Sequence, residues 1–194
     1  MYIIKLTTRY ICDMTTQELE QLKYPIGTFE CPEEISKAQI EDWISVLEHF
    51  PNRLEKLVIN LSDAQLDTPY RPNGWTVRQV VHHVSDSHHH SYTRFKWALT
   101  EDKPVIKYYY EQLWAELPDA KTAPIQMSLN HLKAVHFKLV YLLKSLNDEQ
   151  LNRSFIHPEH NNEVLLKQNI GIYAWHSNHH YAHIENLLKR KGWL

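Results

Sequence analysis

Four of the fourteen histidines fall close together near the C-terminus, in Trp175-His176-Ser177-Asn178-His179-His180-Tyr181-Ala182-His183-Ile184. On a helix, side chains four apart share one face, with Cβ atoms roughly 6 Å apart. Two imidazoles so placed can hold one metal ion. Three pairings are open: His176/His180, His179/His183 and His176/His179. Spacing alone does not choose between them, but the apolar stripe helps. At about 100° per residue, Leu166, Ile172, Tyr173, Ile184 and Leu187 cluster on one side. His180 falls near the middle of that cluster, His176 and His183 lie close by, and His179 sits at its edge. A ligand within a helical core points inward, which favours His176 and His180.

Two imidazoles need a partner, and a second run supplies candidates: His82, His83, His88, His89 and His90. They lie on a stretch whose apolar stripe is Val77, Val80, Val81, Val84, Phe95 and Leu99. Metal sites in helix bundles are built from facing helices, so the two runs should face each other. Periodicity places His88 on the stripe and His82 and His83 towards its opposite edges. On pattern alone His88 is the inward-facing choice. Asp86, one turn past His82, is a candidate orienter or general base. The segment between His176 and His180 is Ser-Asn-His, without the glutamate of an HExxH peptidase.

The elements that must hold these groups read as helices. The chain has 194 residues, enough for one domain with a sizeable core, and only four glycines. Its net charge of -2 gives no basic excess, so nucleic acid is not an expected partner. No apolar run reaches the roughly 18 residues of a membrane span. Cys12 and Cys31 form no metal-ligand spacing and no disulfide framework, which fits a reducing cytoplasm. Lys5, Thr7, Thr8 and Arg9 interrupt any signal-peptide core.

Residues 1–23 show no sustained period and read as an N-terminal extension, with Met14 a candidate start. Tyr24-Pro25-Ile26-Gly27 is a turn, and residues 24–194 form the domain. A first helix begins at Ser36, with Gln39 completing a capping box, and runs through Leu61. Pro51 should kink or divide it, because it lacks the backbone donor and crowds the preceding turn. Residues 67–75 read as a loop. A second helix spans Thr76 to Leu99. The connection over residues 100–124 holds Tyr108-Tyr109-Tyr110 and Trp114, with a short helix over Tyr110–Leu117. So long a connection inside a compact domain is often functional. The third helix opens at Pro124 and carries Leu129, Leu132, Val135, His136, Leu139, Leu143 and Leu146 on one side. Residues 151–163 read as irregular, and no strand pattern is strong. The fourth helix runs from Glu163 to Lys191, with Lys189, Arg190 and Lys191 favouring its dipole and Gly192 its cap. The sum is an all-α four-helix bundle with long connections and a nonstandard topology.

The residues also carry a resemblance. Gly74-Trp75-Thr76-Val77-Arg78-Gln79-Val80-Val81-His82-His83-Val84-Ser85-Asp86-Ser87-His88 is very similar to the DinB/YfiT superfamily, specifically its YfiT branch. So are Tyr24-Pro25-Ile26-Gly27, Leu66-Asp67-Thr68-Pro69-Tyr70-Arg71 and the segment Trp175–Ile184. The likeness extends from about Tyr24 to Trp193 and leaves out residues 1–23. It implies a four-helix bundle holding one divalent metal per chain, Zn²⁺ or Ni²⁺, through three histidines. Carried over by position, these are His83, His176 and His180. His88 then becomes a pocket residue or a support for a ligand. Three neutral ligands leave a coordination position open, the mark of a catalytic rather than a structural site. Such a position can lower the pKa of bound water to about 7 or bind a thiol as its thiolate. The resemblance implies a metal-dependent hydrolase acting on a small molecule. A low-molecular-weight-thiol S-transferase is the alternative, and a non-catalytic metal-binding protein is the third reading. It also implies a homodimer.

Overall fold

The computed structural model describes residues 15–159 and 161–194. Most of the N-terminal extension read over residues 1–23, including Met14 as a candidate start, lies outside the described residues. The elements in order are α1 (Thr16–Lys23), α2 (Lys37–Val58), α3 (Asp63–Leu66), α4 (Val77–Thr100), α5 (Glu111–Trp114), α6 (Pro118–Thr122), α7 (Ile125–Lys144), α8 (Asp148–Leu151), β1 (Ser154–His157), β2 (Asn162–Leu165) and α9 (Leu166–Lys191). The four long helices α2, α4, α7 and α9 form the bundle.

Each of these starts for a local reason. Ser36 and Thr76 accept hydrogen bonds from the backbone N–H of the third residue of α2 and α4, and the Gln79 side-chain oxygen accepts one from the Thr76 backbone N–H. Pro124 precedes α7, while Gly192 ends α9 in the left-handed conformation at φ 66°. Gly171 lets α9 approach α2. A Cβ there would stand 2.8 Å from the Trp43 ring and 2.9 Å from Phe29.

Packing gives the order around the bundle: α4 lies against α7 and α9, and α2 against α7 and α9. Consecutive long helices α2 and α4 therefore stand across the bundle from each other. One apolar cluster joins Phe50, Leu54 and Val58 of α2 to Val77, Val80, Val81 and Val84 of α4, Ile125, Leu129 and Leu132 of α7, and Ile184, Leu187 and Leu188 of α9. A second joins Ile44 and Leu47 to Phe95 and Ala98, to Leu139, Val140 and Leu143, and to Leu166, Ile170 and Tyr173. The early half of α4 thus meets the early half of α7, so these neighbours are parallel, as are α2 and α9. Parallel neighbours need a return as long as a helix, about 36 Å for the 24 residues of α4. The long connection over residues 101–124 is that return. It is pinned where Ile106 donates to the Ile156 carbonyl and Ile156 to the Pro104 carbonyl, at 3.1 and 2.9 Å.

Several local expectations are corrected. Pro51 neither divides nor ends α2, which runs unbroken past it. The segment read as irregular follows directly on α8 and holds most of an antiparallel hairpin, with Ser154 opposite Leu165 and His157 opposite Asn162. Its four-residue strands are too short to show alternation, and they displace the start of α9 from Glu163 to Leu166. The short helix expected over Tyr110–Leu117 is α5, which stops at Trp114, and a further short helix, α6, begins at Pro118, with Leu117 held extended ahead of the proline. The stretch before Tyr24 is not without structure: Thr15 and Glu18 form a capping box that opens α1. The same box at Ser62 and Gln65 builds α3.

Candidate metal centre

Between the two apolar clusters the bundle carries a layer of histidines. His83 and His88 come from α4, His136 from α7, and His176, His179, His180 and His183 from α9. Nε2 of His83 lies 3.3 Å from Nε2 of His176. Each of His83, His176 and His180 offers a nitrogen within 4.8 Å of the others, and they are the one such trio of possible ligands among the described residues. Trp75 packs on His83 with ring centroids 4.6 Å apart and planes tilted by 47°.

His88 is fully buried and belongs to a different arrangement. Its Nε2 is 3.1 Å from Nδ1 of His176, and its Nδ1 is 2.8 Å from Nε2 of His136. Nδ1 of His136 is 2.6 Å from the Leu47 carbonyl oxygen. That carbonyl would ordinarily accept from the backbone of residue 51, which is proline and has no N–H. The proline thus frees an acceptor inside the core, and His136 fills it.

A carbonyl can only accept, so the network assigns the proton of His136 to Nδ1. Burial pushes His136 down to about 4, partly opposed by the Leu47 carbonyl, so it carries one proton at neutral pH. Its Nε2 must then accept from His88 Nδ1–H. By the same logic His88 Nε2 accepts from His176 Nδ1–H, which leaves Nε2 of His176 as a bare lone pair.

A second chain does the same for His180. His183 Nε2–H donates to the Lys23 carbonyl at 2.9 Å, and His183 Nδ1 lies 3.4 Å from His180 Nδ1. Nε2 of His180 is left free. His183 is further fixed by the Tyr70 ring, stacked at 4.0 Å. Two backbone carbonyls, at Leu47 and Lys23, therefore set the tautomers of both α9 imidazoles.

Burial keeps the trio neutral. It pulls His83 down to about 3 and, with the neighbouring imidazoles, takes His176 and His180 well below the usual histidine range. At 3.3 Å the His176 lone pair can accept from His83 Nε2–H, or both nitrogens can turn lone pairs to one metal ion. In a tetrahedral site with Zn–N of 2.0–2.1 Å, ligand nitrogens stand about 3.3 Å apart. The donor set, the His83–His176 spacing and the tautomers of His176 and His180 fit a divalent ion.

The trio borders a cavity of about 450 Å³ that is also lined by Lys23, Arg71, Ser87, Arg94, Tyr109 and Tyr173 among others. Tyr108, Tyr109, Glu111 and Gln112 bring the long connection to this mouth. Asp86 does not border it. That carboxylate faces α6, where burial and then the charge of Asp119 raise it to about 6. His82 serves structure, with its nitrogens 2.7 Å from Ser128 Oγ and 3.2 Å from the Ala123 carbonyl. His89 pairs with His131 on the outside of α4 and α7 at 3.1 Å. His179, placed by periodicity at the stripe's edge, is buried and borders the cavity. It stacks on Trp175 at 4.4 Å, and its Nδ1 has no hydrogen-bond partner among the described residues. His136 went unweighed as a site residue, although its place on the α7 stripe marked a polar group bound for the core.

The family model described as the DinB superfamily matches residues 46–184. The chain belongs to the DinB superfamily. YfiT of Bacillus subtilis (strain 168), named as a candidate metal-dependent hydrolase, is 50% identical over 172 residues, covering 89% of this chain and 97% of its own. A similarly named protein of Bacillus cereus (strain 03BB102) is 52% identical over 175 residues, 90% of this chain and 100% of its own. The solved structure of Bacillus subtilis YfiT, described as having an unusual four-helix bundle topology, superposes with a TM-score of 0.88 at 49% identity. It covers 90% of this chain and 99% of that one. This DinB-superfamily chain has that four-helix bundle fold.

Proposed function

We propose that this chain is a metal-dependent hydrolase in which His83, His176 and His180 hold one Zn²⁺ or Ni²⁺. What carries the reading is the pair of carbonyl-anchored imidazole chains, which leave bare nitrogens on His176 and His180, with His83 Nε2 standing 3.3 Å from that of His176. The names of the relatives support it. A divalent ion held there would supply Lewis acidity to a carbonyl group or a nucleophile. The protein's own part is to keep three imidazoles neutral by burial and to fix two of their tautomers. Trp75 shields His83 from water, and the hydroxyls of Ser87, Tyr109 and Tyr173 offer hydrogen bonds to a bound molecule. The reaction adds the elements of water across an ester or amide bond of a small molecule, a size the cavity fits. The same reading has a cytoplasmic homodimer, without nucleic acid or membrane as partner.

One observation favours the thiol S-transferase as a second reading. Glu111 is the one carboxylate bordering the cavity among the described residues, and its side chain takes the Tyr108 hydroxyl at 3.4 Å rather than a ring of the imidazole trio. A hydrolase commonly uses a carboxylate as base, whereas a thiol, once ionised, needs none.

The test is turnover of a panel of esters, amides and thiol-plus-electrophile pairs by metal-loaded and metal-depleted protein. Metal-dependent ester or amide cleavage is expected. Transfer of thiol alone would select the second reading, and His176→Ala or His180→Ala protein that retained full metal would overturn both.

A further inference from the structure

Arg94 is an unusual side chain for the core of this protein. It is 8% exposed, yet no carboxylate forms an ion pair with it among the described residues. Its Nε is buried with no hydrogen-bond partner. Its one hydrogen bond among the described residues is a long one, Nη1 to the Tyr173 hydroxyl at 3.4 Å. A buried guanidinium without a counter-charge is strongly unfavourable, so the bundle has reason to keep it only if something else supplies the charge. Contrast Arg78 on the same helix, also buried, which binds Asp67 and Asp63 at 2.7 Å each.

Arg94 lines the cavity that the three imidazoles border. Around it the lining offers hydrogen-bond donors and little negative charge. Ser87 Oγ stands 3.4 Å from the Tyr173 hydroxyl. Burial raises the Tyr109 hydroxyl, so it stays protonated, and Ser87 lies beside it. Lys23 and Arg71 add positive charge at the mouth. Against these stands Glu111, which takes the Tyr108 hydroxyl at 3.4 Å and makes no ion pair with Arg94.

We infer that Arg94, with the hydroxyls of Ser87, Tyr109 and Tyr173, is a subsite for a carboxylate of the substrate. The guanidinium fork matches a carboxylate in a two-bond, planar geometry. The substrate is then a small molecule with two ends, one anionic at Arg94 and one reacting at the imidazole trio. This part of the inference rests on the metal reading. The anion subsite itself does not.

The experiment has one arm for each. In the first, propionate is titrated into metal-free protein while the Arg94 Nε–H resonance is followed by NMR. A saturable downfield shift is expected, absent in Arg94→Met. In the second, Zn²⁺-loaded protein is titrated with 3-mercaptopropionate and with its neutral amide. The acid is expected to bind more tightly than the amide, by about 30-fold or more for a buried charge pair. Arg94→Met should abolish that preference and leave amide binding unchanged. Its melting temperature without propionate should equal or exceed the wild type, whereas a merely structural arginine would lower it. Arg94→Lys, which keeps charge but not the fork, should retain only part of the preference. A silent Arg94 resonance together with equal binding of acid and amide would overturn the subsite while leaving metal binding intact. A positive first arm in protein that takes up no Zn²⁺ would keep the subsite and sink the metal reading.

Discussion

His136 touches none of the proposed ligands, yet its removal should weaken metal binding. In His136→Leu the Leu47 carbonyl has neither a backbone donor, because residue 51 is proline, nor an imidazole donor. His88 Nδ1–H loses its acceptor at 2.8 Å. Each buried group left unsatisfied costs about 1–3 kcal/mol, so the variant should lose roughly 2–6 kcal/mol of stability. That loss alone would fit any buried hydrogen bond. The diagnostic effect is on His176. Freed from His136, His88 can carry its proton on Nε2, which turns His176 Nδ1 into an acceptor and puts a proton on His176 Nε2, where a ligand needs a lone pair. Loss of such a support typically lowers metal affinity about 10–100-fold. His136→Gln is the control, because its amide oxygen reaches about the position of the imidazole Nε2 and can still accept from His88. The assay is competition for Zn²⁺ against a chromogenic chelator, paired with ¹⁵N chemical shifts of the His176 nitrogens in metal-free protein. The expected result is weakened binding and a changed tautomer in His136→Leu, and values near wild type in His136→Gln. Folded His136→Leu protein with unchanged affinity and an unchanged His176 tautomer would refute the reasoning.

Acid should both empty the site and unfold the metal-free protein. Burial depresses His83 and His183 to about 3 and His136 and His179 to about 4, so the unfolded chain takes up protons first. Their contribution is fully present above about pH 6.5 and is lost as pH falls towards those values, at about 1.4 kcal/mol per histidine per pH unit. Thermal melts from pH 8 to pH 4.5 should show a steep decline below pH 6.5, and a flat profile would contradict it. At the N-terminus, a chain beginning at Tyr24 lacks the Lys23 carbonyl that holds His183 and should bind Zn²⁺ about 10-fold more weakly. One beginning at Met14 should match the full chain, and equal affinity for all three would remove Lys23 from the site. Light scattering at micromolar concentration should give the mass of a homodimer, and a monomer mass would end that expectation.

The four long helices were legible because each has an apolar stripe at helical spacing and a cap of the right residue type, as at Ser36, Thr76 and Gly192. What lay between them was not. The four-residue strands give two inward positions apiece, too few to distinguish alternation from chance. The capping boxes at Thr15 and Ser62 were written in the sequence, but each opens a helix too short to carry a period. Pro51 was judged by what it removes from its own helix. Its consequence falls on the Leu47 carbonyl and is repaired by a histidine 85 residues away in sequence from the proline, which no local pattern records.

The choice between His83 and His88 shows what periodicity measures. A stripe reports depth, and depth was read correctly: His88 is 0% exposed, against 9% for His83. A group at the deepest point of a bundle is enclosed by side chains on every side, as His88 is by Phe50, His136, Tyr173 and His176. A ligand of an open site needs the reverse, one nitrogen turned to its partner ligands and room beside it for a molecule to arrive. That requirement is met at the border of the stripe, where α4 meets α9, and His83 and His176 both stand there. The apolar stripe therefore identifies the most enclosed residue, His88, and its edge identifies residues that face the cavity. His179, placed at the stripe's edge, is likewise part of the cavity wall. In a bundle that keeps its chemistry in a side cavity, the positions to search are those flanking the most buried polar residue, one helical face round.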